Sequence, residues 1–109
     1  MTLVTLLTKT YKRSDSAIPW FTRPAPHIAL VSEWSPARFT ETATEPDEFT
    51  LVVVRTYTDL ATATSWVEQA GTIETERQRK VYEDLNGISW TKVVHDGSTN
   101  TTTTTTSKD

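Results

Sequence analysis

The chain is 109 residues long, carries a net charge of −3 and is 36% apolar, so it has room for one domain with a thin core, below the roughly 45–50% apolar share of ordinary globular chains. Four Trp, three Tyr and three Phe offset that thinness, because each aromatic buries a large area. The lack of cysteine excludes disulfides, thiolate catalysis and Cys-based zinc sites, and the acidic balance argues against a phosphate-tracking nucleic-acid groove.

Residues 1–7 are apolar but have no charged leader and break at Thr8-Lys9-Thr10, so no classical secretion signal is expected. No apolar run approaches the roughly 20 residues of a bilayer-spanning helix. A cytoplasmic or virion location, with no membrane partner, is the expectation. Leu, Val and Thr make residues 3–11 a strand. Residues 13–26 hold Ser14, Asp15, Ser16, Pro19, Pro24 and Pro26 and read as an irregular loop that carries Ile18, Trp20 and Phe21. Residues 26–34 read equally as a short helix opened by proline or as a strand with Ile28, Leu30 and Val31. Residues 35–48 are polar and read as loop, with a short extended piece at Arg38-Phe39-Thr40.

Residues 49–57 form the clearest strand. Phe49, Leu51, Val53, Arg55 and Tyr57 alternate with Thr50, Val52, Val54 and Thr56, and Leu51-Val52-Val53-Val54 is apolar on both faces, as in a covered central strand. Asp59 caps a helix or opens its first turn. Leu60, Ala63, Val67 and Ala70 form its apolar stripe beside Trp66, and Gly71 ends it. A second helix starts near Thr72 or Thr75, where Thr75 and Gln78 fit a capping box. Its apolar side is Ile73, Val81 and Leu85, joined by Tyr82, and Asn86-Gly87 stops it. Residues 88–95 are a last strand, with Ile88, Trp90, Lys92 and Val94 on one side.

These elements predict an α+β domain over residues 1–96: a small antiparallel or mixed sheet with helices on one face, ferredoxin-like in arrangement. Residues 97–109, with six consecutive threonines, are expected to be a flexible tail, able to extend if a neighbour offers a surface.

Little catalytic chemistry is evident. His27 and His95 sit in separate segments and read as surface residues without a metal. The three glycines, Gly71, Gly87 and Gly97, are too scattered for a phosphate cradle or a nucleophile elbow. The carboxylates Glu45-Asp47-Glu48 read as solvated in a polar loop and Glu83-Asp84 as exposed near a helix end, so neither group reads as tuned for acid–base work. Arg77, Arg79 and Lys80, interleaved with Glu74 and Glu76, read as a charge-laced outer helix face, with Glu76-Lys80 in the favourable i,i+4 order. No catalytic residue, cofactor or metal is assigned.

The run Phe49-Thr50-Leu51-Val52-Val53-Val54-Arg55-Thr56-Tyr57, with the helices and strand after it, resembles the small ferredoxin-like dimeric α/β-barrel proteins, including antibiotic-biosynthesis-type monooxygenases. The haem-degrading members pair an N-terminal Asn with a Trp and a His, whereas this chain has no Asn before Asn86. In composition the short, cysteine-free chain with Pro-rich loops and a low-complexity end also resembles small tailed-phage virion proteins.

Two functions follow as expectations. One is a non-catalytic structural or interaction protein, a homo-oligomer or part of a larger assembly such as a phage particle. Its protein-partner contacts are Ile18, Trp20, Phe21, Trp34 and Phe39, the aromatic and apolar residues of loop-like stretches. The other is a barrel-type monooxygenase or oxidoreductase with an apolar cavity lined by Tyr57, Trp66, Tyr82 and Trp90.

Overall fold

A computed structural model describes residues 4–107. Leu3 of the first expected strand and Lys108-Asp109 of the tail lie outside the described residues. The order of elements is β1 (Thr5–Lys12), α1 (Ala25–Trp34), β2 (Phe39–Asp47), β3 (Thr50–Tyr57), α2 (Leu60–Glu68), α3 (Ala70–Asn86), β4 (Ser89–Asp96) and β5 (Thr101–Thr106). The five strands form one sheet in the order β2-β3-β1-β4-β5, every neighbouring pair antiparallel. The fold is therefore α+β.

Two crossovers explain why the helices share a face. The path β1-α1-β2 skips over β3, and the path from β3 through α2 and α3 to β4 skips over β1. Each joins parallel strands, for which the right-handed connection is almost invariable. They run in opposite strand directions and toward opposite edges, so the same hand lays all three helices on one side. Phe39, Tyr57 and Trp66 form the core there, with Leu7, Leu30, Val31, Trp34 and Ala63 packed around them. The Trp66 ring lies 5.3 Å from both Phe39 and Trp34, centre to centre. Burying a side chain of that size is worth about 4–6 kcal/mol as an upper figure.

Local chemistry sets the ends of the helices. Pro26 falls at the start of α1, which resolves residues 26–34 as helix. The Asp59 carboxylate accepts from the Thr62 amide at 2.7 Å and caps α2. Gly87, at φ 67°, supplies the left-handed residue that stops α3.

Four expectations change. The break between the helices falls at Gln69, whose extended ψ of 135° ends α2 and starts α3. Gly71 lies inside the first turn of α3, where a Cβ would stand 2.9 Å from Leu30 Cδ2; its small size lets α3 approach α1. Residues 39–47, read mostly as loop, are a full strand: Glu41 lies directly across from Arg55, and a bulge between Thr44 and Asp47 takes up Pro46 at the sheet edge.

The tail read as mobile is instead edge strand β5, paired from Thr101 against Asp96 to Thr106 against Thr91. An unpaired β4 edge is the surface that β-branched threonines need in order to extend.

Finally, α3 is turned over relative to the expected stripe. Ile73 and Leu85 are 57% and 80% exposed, while Thr72, Thr75 and Glu83 are the buried side.

The opposite face of the sheet has no helix over it. Leu6, Val52, Val54 and Val93 sit there among threonines of all five strands, and among the described residues ionisable groups enter only at its ends, with Lys12, Asp47 and His95.

Candidate functional site

Between the sheet and the helices lies a cavity of about 450 Å³, within the roughly 300–1,000 Å³ range of small-molecule sites. Its floor is the inward side of three central strands: Leu7, Lys9 and Tyr11 of β1, Leu51, Val53, Arg55 and Tyr57 of β3, and Lys92 of β4. Period-two alternation puts them on one face. The roof is His27 of α1, Trp66 and Val67 of α2, and Thr72, Glu76, Arg79 and Glu83 of α3. Trp20, Phe21 and Arg23 close one side from the loop before α1.

That loop is held in place. The Arg13 guanidinium stacks 4.3 Å from the Trp20 ring and donates to the Ile18 carbonyl at 2.7 Å. Trp20 Nε1 donates to Glu45 at 2.9 Å. Phe21 meets the edge of Tyr82, whose hydroxyl donates to the Pro19 carbonyl.

Charge is arranged differently at the two ends. Near Tyr57, Arg55 donates to Glu41 through Nε at 2.9 Å and again through Nη2, and Nη1 donates to the Tyr57 hydroxyl at 3.1 Å. Arg23 donates to the other Glu41 oxygen at 2.6 Å. Burial pushes the Glu41 carboxyl up, but the charges and hydrogen bonds of Arg55 and Arg23 outweigh it and hold the group below its ordinary value.

At the β1–β4 end, Lys9 faces Lys92 directly across the strand pair. Lys9 Nζ lies 3.7 Å from Glu76, which also accepts from Arg79. The ammonium sits 4.5 Å from the Trp90 ring and 4.8 Å from the Tyr11 ring, and it makes no hydrogen bond among the described residues. Burial draws Lys9 down to about 8, with Glu76 opposing and Arg79 and Lys92 assisting. Glu83 is 4% exposed; burial pushes it up to about 7, against the pull of Lys9 and Arg79.

Two further polar groups on the cavity wall have no partner among the described residues: His27 Nδ1 and Thr72 Oγ1. They belong to residues 5% and 4% exposed. Burial, then the charges of Arg23, Arg79 and Arg55, lowers the His27 pKa and favours the neutral ring. An unpaired buried polar atom costs roughly 1–3 kcal/mol, so both atoms favour an occupant that can hydrogen-bond them.

The expected site residues divide. Tyr57 and Trp66 line the cavity. Tyr82 only braces its entrance loop, and Trp90 lies behind Lys9 on a separate depression with Glu76, Lys80 and Ile88. Of the expected partner contacts, Trp20 and Phe21 are cavity walls, Ile18 anchors the loop through its carbonyl, Trp34 packs on Trp66, and Phe39 is buried in the core.

Several readings are corrected. The cavity is polar as well as aromatic. His27 is an interior group rather than a surface one. Glu83 is buried and perturbed, and Arg79 and Glu76 face inward, paired with each other instead of Glu76 with Lys80. Lys9 is not among the residues that the sequence singles out. Its signal was a cation between Leu7 and Tyr11 on the inward register of a strand.

Among the described residues no group of three or more His, Asp or Glu is placed to hold a metal ion, and no helix is long and apolar enough to cross a membrane. No protein-family model matches the chain, and neither the curated proteins nor the solved structures contain a match to it.

Proposed function

We propose that this protein is a small-molecule-binding domain of ferredoxin-like fold whose cavity takes a planar organic anion. The fold reading rests on the strand order β2-β3-β1-β4 with its two split crossovers, to which β5 is an added edge strand. One observation carries the ligand reading. A chain of net charge −3 lines this cavity with five cations (Lys9, Arg23, Arg55, Arg79 and Lys92) against three carboxylates (Glu41, Glu76 and Glu83). Aromatic rings from Tyr11, Trp20, Phe21, Tyr57 and Trp66 supply flat apolar walls. Aromatic walls select a planar body and the cation excess selects a negative group. His27 Nδ1 and Thr72 Oγ1 add two fixed polar contacts.

Calorimetric titration with 2-naphthoate and with its uncharged amide tests this. Binding of the acid at least tenfold tighter than the amide, weakening with added salt, is expected. Equal affinity for the two, or none for either, removes the reading.

A second reading is self-association through the open sheet face. It is favoured by the absence of charge across the middle of that face, since a sheet face of Val, Leu and Thr gains by being covered. Light scattering should then give a dimer that Val54→Lys converts to monomer. A wild-type monomer at high micromolar concentration rules it out.

A further inference from the structure

Lys9 is the residue in this cavity whose chemistry is least explained by packing. It projects from the middle of the central strand β1 between Leu7 and Tyr11, and all three side chains line the cavity. Strand β3 sets Val53 opposite it and strand β4 sets Lys92 opposite it. Two cations directly across a strand pair repel each other. Nothing in the register offers Lys9 a carboxylate on its own sheet. From α3, Glu76, Arg79 and Glu83 face it, and the Trp90 and Tyr11 rings flank it. Among the described residues the only ion-pair contact of Nζ is 3.7 Å long, and none of its three N–H donors makes a hydrogen bond.

We propose that Lys9 is a carbonyl-capturing amine, which forms an imine with an aldehyde or ketone held in the cavity while Glu83 carries the protons. The proposal rests on the reading of the cavity as a ligand site and names the reactive class of ligand. In the step, the neutral Nζ lone pair adds to the carbonyl carbon, and the C=O π pair moves to oxygen. The nitrogen gives a proton to the Glu83 carboxylate, and the oxygen takes it back. The carbinolamine N–H then passes a second proton through the Glu83 carboxylate to the hydroxyl, which leaves as water as the nitrogen lone pair closes the C=N bond to Nζ. Net, one carbonyl compound and one amine give one imine and one water, with no redox partner.

Two features of the site serve that chemistry. An amine that is desolvated and set beside a second cation is the arrangement that keeps lysine neutral and nucleophilic, and Lys92 and Arg79 are the cations here. Burial with those two charges brings Lys9 to about 8. Burial also brings Glu83 to about 7, so near neutral pH it can both accept and return a proton. At pH 8 the neutral fraction of such a lysine exceeds that of an ordinary one by about 100-fold.

The test is reductive trapping of the full chain with 4-formylbenzoate and cyanoborohydride, read by peptide mass spectrometry. Lys9 is expected to be labelled at least tenfold faster than the exposed Lys12 and Lys80 at pH 8. Its labelling should rise with a midpoint near pH 8, and 2-naphthoate should suppress it. Glu83→Gln is expected to slow labelling about tenfold or more. Lys92→Gln should leave Lys9 labelled but move the midpoint upward, a result that a purely structural lysine does not give. Labelling of Lys9 no faster than of Lys12 overturns the proposal. So does a midpoint that Lys92→Gln does not move. If 2-naphthoate binds and Lys9 stays unlabelled, the cavity reading survives and this one falls. If Lys9 is labelled without any 2-naphthoate affinity, the amine proposal stands and the planar-anion reading of the ligand falls.

Discussion

The two ends of the cavity stand on the same strands yet handle charge in opposite ways. At the Tyr57 end every charge has a short partner: Glu41 receives hydrogen bonds from Arg55 and Arg23, and Arg55 reaches on to the Tyr57 hydroxyl. At the Lys9 end, Lys9 and Glu83 are buried without a side-chain hydrogen bond among the described residues, and a second lysine stands across the strand pair. Saturated charges hold a fold in register. Under-partnered ones cost stability and retain reactivity, which is the pattern of sites where function displaces packing. The difference also fixes the sign with which each end responds to substitution and to pH.

The largest effect is expected at the saturated end. Glu41→Gln leaves Arg55 and Arg23 facing a neutral amide inside a largely buried pocket. Loss of one partner from a fully buried pair costs roughly 3–5 kcal/mol, and partial exposure reduces that here to about 2–3 kcal/mol. Urea unfolding at pH 7 measures it. The folded Glu41 pKa lies below its ordinary value, so its contribution is present above the unfolded carboxylate pKa and fades as pH falls through the folded one. The gap between wild type and Glu41→Gln should therefore narrow on acidification below about pH 4.5. A gap that stays constant from pH 7 to pH 3 breaks the comparison at this end.

A smaller effect of opposite sign is expected at the other end. The folded Glu83 pKa is raised to about 7, so the folded state holds the proton more tightly than the unfolded one. Between the ordinary carboxylate pKa and pH 7, stability drops as pH rises, and the full penalty stands above pH 7. Glu83→Gln removes that penalty and should stabilise the protein by roughly 1–2 kcal/mol at pH 8, with no gain at pH 4. Lys9, lowered to about 8, carries a penalty that is complete below pH 8 and relieved on the way to pH 10.5. Thermal melts across pH 4–10 on wild type and Glu83→Gln read both limbs. A loss of stability in Glu83→Gln at pH 8 would show that this end is a structural ion pair after all.

Much of the scaffold could be read from the sequence, because its local signals agree with its tertiary role. The double-sided apolar run of β3, the Asp59 cap and the Gly87 stop needed no knowledge of the cavity, and the alternation through Arg55 already set that residue beside Tyr57. The remainder was hidden for two physical reasons. Strands β2 and β5 are edges dominated by threonine, with charge in β2, so no hydrophobic alternation marks them, even though each pairs as a hairpin with the strand next to it in sequence. The inward side of α3 faces a polar cavity, so the usual inference from apolar stripe to core points the wrong way. Glu83 reads as a solvated carboxylate and Lys9 draws no notice for the same reason, since a charged residue on an expected strand or helix is solvated by default.

That reversal of α3 supplies the smallest expected effect and the sharpest check on the fold. If Ile73, Val81 and Leu85 packed on the sheet, replacing Leu85 with lysine would bury a charge and remove a large side chain, at a cost of several kcal/mol. With Leu85 80% exposed, the same change should fall within about 0.5 kcal/mol of wild type. Thr75, on the buried side of the helix, gives the counterpart. It is buried and its hydroxyl donates to the Gly71 carbonyl at 2.8 Å, so Thr75→Lys should destabilise strongly where Leu85→Lys does not. The ratio of the two costs measures which side of α3 faces the sheet. A ratio inverted in favour of Leu85 would swing Glu76, Arg79 and Glu83 out to solvent together, and the charged roof of the cavity would go with them.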